Sequence, residues 1–136
     1  MKRMKDPYRT QITFFIKESD RHWDAAQSLY KTKHYDWALF VAHLSLEKLL
    51  KALIVKKMQQ AAPFMHNLQD LARRANVELT NEQIKNLGEI TTFNIEARYD
   101  TIRLDFYKRC TKKYTEKWLN TIKELKIWLA QELRKK

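Results

Sequence analysis

The chain has little that breaks a helix and little that supports covalent or nucleotide-loop chemistry. Among its 136 residues there is one glycine, Gly88, and there are two prolines, Pro7 and Pro63. So few breakers argue for long helices joined by short connections. A single glycine also excludes Walker-type and Rossmann sites, whose loops need several glycines to let backbone approach phosphate. Cys110 is the only cysteine, so no internal disulfide can form. That usage fits a reducing cytoplasm, and with no local base nearby the thiol reads as structural. No apolar run reaches the roughly 18 residues of a membrane span. The stretch Met1-Lys2-Arg3-Met4-Lys5-Asp6-Pro7 is basic, and no apolar core follows it, so no secretory leader is expected. Metal-ligand spacing of the His-Glu-x-x-His kind is absent, and no metal or cofactor is expected.

What the chain does have is apolar content and positive charge. Hydrophobic residues make up 44%, enough for a real core in one domain spanning residues 1–136. The formal net charge is +11, which favours polyanionic partners: nucleic acid, nucleotides or an acidic protein. The excess is dense between Arg103 and Lys117, where Arg103, Lys108, Arg109, Lys112, Lys113 and Lys117 face only Asp105 and Glu116. Such a run serves either as a solvated face or as a phosphate contact.

Apolar residues recur at helical spacing and never alternate as in a strand. A first helix is expected from about Tyr8 to Lys31, with Ile12, Phe15, Ile16, Ser19, Trp23, Ala26, Leu29 and Tyr30 as its seam. A four-residue turn leads into a second, from about Tyr35 to Gln59. At 1.5 Å per residue each would be roughly 35 Å long. Pro63 ends the pattern. Asn67 reads as the N-cap of a short third helix, about Leu68 to Ala75. Thr80 and Gln83 have capping-box spacing and open a fourth that closes near Arg98. Thr111 caps a fifth, whose seam is Tyr114, Trp118, Ile122, Leu125, Leu129 and Leu133. Residues 97–110, aromatic and basic, carry no clear pattern. The fold class is all-α: an antiparallel up-and-down bundle of four long helices plus one short helix.

The second helix is the most informative element. Leu39, Ala42, Leu46, Leu49, Leu50 and Leu53 form one apolar arc, and Trp37, Val41, Leu44 and Val55 form another. Two apolar faces suit either a helix central to the bundle or one that also meets a second copy of the chain. Between them, Asp36, His43, Glu47 and Lys51 fall within about 80°. Ionisable groups on such a helix must pair or meet water. His43, Glu47 and Lys51 therefore read as an internal polar ladder or as the lining of a ligand groove. His66, just before the Asn67 cap, reads as a local capping residue. Arg98 and Tyr99, at a helix end, can hold a phosphate and a base, or can clamp a loop to the bundle.

Three groups of residues carry a resemblance. Tyr35-Asp36, Ala38, Phe40, Ala42-His43, Glu47-Lys48 and Lys51-Ala52 come first, then His66-Asn67-Leu68 with Leu71, then Ala97-Arg98-Tyr99-Asp100. In that order, over about Gln11 to Leu133, they resemble the HEPN domain (higher eukaryotes and prokaryotes nucleotide-binding). The resemblance implies a four- or five-helix bundle that dimerises. It implies association with a minimal nucleotidyltransferase, often in a toxin–antitoxin pair, and a nucleotide-binding role. Many HEPN proteins are metal-independent ribonucleases that carry an Arg, four to six residues, then a His, with two copies pairing across a dimer. That signature is missing. No arginine stands five to seven residues before His22, His34, His43 or His66, and the window after Arg98 is Arg103-Leu104-Asp105.

The expectation is therefore a cytoplasmic, non-catalytic HEPN module with no catalytic residue assigned. It would form a homodimer and bind a nucleotidyltransferase protein, a nucleotide, or both, away from any membrane. Arg98, Tyr99, Arg103, Lys108 and Arg109 are its candidate phosphate and nucleotide contacts. His43, Glu47, Lys51 and His66 are groove-lining or structural. A degenerate ribonuclease using His43 or His66 as its base, and a general RNA-binding protein, are the alternatives.

Overall fold

The structure is a computed structural model that describes residues 6–135; Met1 to Lys5, the basic start of the chain, and Lys136 lie outside them. Six helices follow in order: α1 (Pro7–Lys31), α2 (Tyr35–Met58), α3 (Leu68–Arg74), α4 (Asn81–Arg98), α5 (Asp100–Arg109) and α6 (Lys112–Arg134). The described residues contain no strand.

The helix ends follow from local chemistry. Asp6 accepts from the Tyr8 N–H at 2.9 Å, with Pro7 pre-set for the first turn of α1. Thr80 and Gln83 close both halves of a capping box on α4. Thr111 accepts from the Tyr114 N–H at the start of α6. Lys33, Gln59 and Asn76 turn the chain in the left-handed region, with φ of 66°, 52° and 53°. A Cβ at Gly88 would sit 2.8 Å from Gln69 Nε2, the end of a flexible side chain that donates to the Ile84 carbonyl and would have to swing aside.

Four long helices and one short one are present as the pattern implied. The segment left without a pattern forms a further helix, α5, of 10 residues. Its local signal is weak because it presents few apolar side chains to the core. Phe106 is its one buried residue, and its packing is supplied by other helices. The Phe106 ring lies 5.7 Å from that of Phe93 on α4, and Phe93 in turn meets Trp118 and Tyr114 on α6. This aromatic cluster ties three helices together.

The Leu39–Leu53 arc of α2 has a plain cause, and in the other arc Val55 is buried while Trp37, Val41 and Leu44 are half-buried. The helix packs against every other helix of the bundle, so its Leu39, Leu46, Leu50 and Leu53 are fully buried. The polar stripe lies on a covered side of the helix, while Lys57 near its end reaches solvent. Asp36, His43, Glu47 and Lys51 are accordingly buried too.

Candidate functional site

The polar stripe of α2 leads outward to a cleft. His43 is fully buried and donates from Nε2 to the His66 carbonyl at 3.4 Å. Its Nδ1 has no partner. Burial lowers the imidazole to about 4, so His43 is neutral at physiological pH. One turn on, Glu47 Oε1 accepts from His66 Nδ1 at 2.9 Å, and Glu47 Oε2 accepts from Lys51 Nζ at 3.3 Å. Burial pushes the Glu47 carboxyl up. The His66 hydrogen bond and the Lys51 charge outweigh that and hold it below its ordinary value. The carboxylate is thus charged, buried and bonded on both oxygens, which is what makes its burial tolerable.

His66 is the outer end of this ladder, with its side chain 54% exposed. The bond to Glu47 fixes its ring with Nδ1 as donor and leaves Nε2 as the outward nitrogen. The loop before α3 is pinned by the Asn67 cap on the Asp70 N–H and by the Leu68 N–H, which donates to Thr91 Oγ1 at 3.1 Å. This second bond seats the loop against α4. The result is a cleft of about 310 Å³ between them, lined by His66, Asn67, Thr91, Asn94, Ile95, Arg98 and Tyr99.

The cleft offers chemistry for an anion with an attached ring. Arg98 supplies a guanidinium, His66 an imidazole nitrogen, and Tyr99 a ring that is 59% exposed. Asn94 is 7% exposed, and its amide makes no hydrogen bond to the described residues. Its amide opens on the cleft, where water or a polar ligand can meet it.

Of the residues singled out in the sequence, the structure brings Arg98, Tyr99 and His66 to one cleft. His43, Glu47 and Lys51 lie beneath it and support its wall. Arg103 lies elsewhere: its guanidinium stacks 4.2 Å from the centroid of the Trp37 ring. Arg109 pairs with Glu96 and lies over the rings of Phe106 and Tyr114. Lys108 is exposed on α5. Asn67 was read only as a helix cap and part of a motif, and Thr91, Asn94 and Ile95 were not singled out. The signal for three of them was spacing, since Thr91, Asn94, Ile95 and Arg98 recur at three, four and seven residues on one face of α4.

Cys110 is buried, and burial raises its thiol to about 12. A group so hard to ionise is a poor nucleophile. Among the described residues no cluster of three or more His, Cys, Asp or Glu is placed to hold a metal. No helix there is long and apolar enough to cross a membrane.

A helical bundle with a central polar helix and a His–Arg–Tyr cleft defines a class, and the sequence identifies it. The family model of the HEPN domain matches residues 12–133, and the chain belongs to that family. In three dimensions it is similar to the protein TT1696 from Thermus thermophilus, with a TM-score of 0.75 at 17% identity over 89% of this chain and 97% of that one. At that identity the likeness concerns the fold alone. No curated protein sequence matches the chain significantly.

Proposed function

We propose that this chain is a non-catalytic HEPN module. It forms a homodimer and binds a minimal nucleotidyltransferase partner, a nucleotide, or both, as one member of a toxin–antitoxin type pair. The observation that carries this reading is the cleft. Arg98, Tyr99, His66 and an unpartnered Asn94 line one recess, and together they suit a phosphate and a base. The missing Arg-x4-6-His signature supports binding rather than cleavage. The central placement of α2 accounts for the Leu39–Leu53 arc, whereas Trp37, Val41 and Leu44 of the other arc are only half-buried; the homodimer rests on the family's habit.

The test is a tagged pull-down from the native host with intact-mass measurement, followed by nucleotide binding to an Arg98→Ala, Tyr99→Phe double variant. A co-purifying nucleotidyltransferase, and nucleotide binding lost in the variant, are expected. Nucleotide binding unchanged in the variant sinks the site assignment.

One observation favours a second reading. His66 shares the cleft with Arg98, and its Nδ1 is held by Glu47. A carboxylate-oriented imidazole beside a guanidinium is a workable acid–base pair for a phosphodiester. A degenerate ribonuclease of this kind would cleave mixed RNA in the presence of chelator, and His66→Ala would abolish it. Absence of cleavage, or cleavage indifferent to His66→Ala, removes it.

A further inference from the structure

His66 is tied to α2 at two points. Its carbonyl accepts from His43 Nε2 at 3.4 Å, and its Nδ1 donates to Glu47 Oε1 at 2.9 Å. These bonds fix the ring, and Nε2 is the nitrogen left for the cleft that His66 lines with Arg98. That nitrogen has two forms. In the neutral ring it carries a lone pair and accepts. In the imidazolium it carries a proton and donates. A fully ionised phosphate or sulfate group offers only acceptors, so only the second form bonds to it.

The charged groups around His66 come from three helices. On α2, Glu47 is held below its ordinary value and stays charged, and Lys51 balances it at 3.3 Å. A proton can therefore join or leave His66 without stranding a lone charge in the core. His43, lowered to about 4 by burial, stays neutral. On α3, Asp70 is engaged by Arg73. On α4, Thr91, Asn94 and Ile95 carry no charge, and Arg98 brings a cation to the same cleft. Tyr99 adds a phenol, and Asp100 beyond it is exposed. In an empty cleft Arg98 opposes a second proton on His66. An anion between the two reverses that effect, while Glu47 supports the imidazolium from behind.

We infer that the cleft takes up its anion together with one proton, which binds at His66 Nε2. This rests on the reading of the cleft as an anion site given above, and adds a control to it. Acid tightens the hold on the anion and alkali loosens it. The coupling is reciprocal: an anion in the cleft makes His66 easier to protonate by the same factor that the proton strengthens anion binding.

The probe is inorganic sulfate, whose own charge does not change near neutral pH. The full chain is titrated with acid in sodium sulfate and in sodium chloride of equal ionic strength, with the His66 Cε1–H and the Arg98 Nε–H followed by NMR. The midpoint of the His66 titration should lie about one pH unit higher in saturating sulfate, which corresponds to about a tenfold difference in sulfate affinity between the two forms of the ring. His34, exposed between α1 and α2, should keep its midpoint in both salts. His66→Gln, a change at an exposed side chain, should leave sulfate binding at Arg98 that no longer varies with pH. A His66 midpoint equal in both salts, while the Arg98 N–H shifts saturably with sulfate, overturns the inference and leaves the cleft as an anion site. Sulfate affinity in His66→Gln that still rises toward acid also overturns it. No saturable shift at either residue removes the anion reading and the inference with it.

Discussion

His66 and Glu47, 19 residues apart, join an exposed imidazole to a buried carboxylate through a 2.9 Å hydrogen bond. This bond is the link between the core of α2 and the wall of the cleft. Glu47 holds His66 outward and Lys51 inward at once, so one side chain serves both the fold and the site.

The first prediction concerns that double duty. Glu47→Ala leaves Lys51 buried without a counter-charge, a change that costs about 3 kcal/mol or more. His66→Ala removes only the exposed end and should cost less than about 1 kcal/mol. Urea unfolding of both variants checks the order. Equal losses would show that the Glu47–Lys51 pair does not support the core.

A pH dependence follows from His43. Its folded value of about 4 lies below the ordinary 6.5 because it is buried. The unfolded chain thus binds a proton that the folded chain refuses. Stability from this group is full above pH 6.5 and is lost as pH falls toward 4, by about 3 kcal/mol at roughly 1.4 kcal/mol per unit. His22, also lowered by burial, acts with the same sign. Glu47 is held below its ordinary value, so its contribution is present above the unfolded carboxylate range and is lost only at lower pH. Unfolding curves taken between pH 7.5 and 4.5 should show the loss, and His43→Leu should flatten most of it. A wild-type curve that does not change over that range contradicts the assignment.

The third prediction is that α5 is held from outside itself. Phe106→Ala should cost about 3–5 kcal/mol, as for a fully buried aromatic. Arg103→Ala removes the stack on Trp37 and should cost about 0.5–1 kcal/mol. Amide hydrogen exchange in Arg103→Ala should speed up over residues 100–109 while α2 keeps its protection. Uniform loss of protection would mean that Arg103 supports the whole bundle instead.

Cys110 should be inert. With its thiol raised to about 12 and buried, it should resist iodoacetamide at pH 8 in the folded protein and react in denaturant. Mass spectrometry of the two samples measures the difference. Rapid labelling of the folded chain would show that the α5–α6 junction opens readily.

The capping box gives a local check on helix start. Thr80→Ala should cost about 1 kcal/mol, and Thr80→Ser should cost little, because the hydroxyl that accepts from the Gln83 N–H at 3.1 Å remains. Thermal unfolding of the two variants separates them.

The sequence by itself determined the helices whose ends and seams are local. Capping chemistry at Asn67, Thr80 and Thr111 acts within three or four residues, and the Tyr114–Leu133 seam keeps a period set by the helix itself. Membership of the HEPN family was legible in the same way, because its motifs are short runs around Glu47, His66 and Arg98. Tertiary structure alone decided the rest. α5 forms because Phe93, Trp37 and Glu96 come from elsewhere to hold Phe106, Arg103 and Arg109, and no local pattern records such partners. It also decided which cations share a site. Arg98 and His66, far apart in the chain, line one cleft because the Leu68 N–H bonds to Thr91 and draws the loop onto α4. Arg103 and Arg109, nearer to Arg98 in the chain, are turned away into stacking and pairing. A residue's type shows what it can bind, whereas its partner depends on distances that only the folded chain sets.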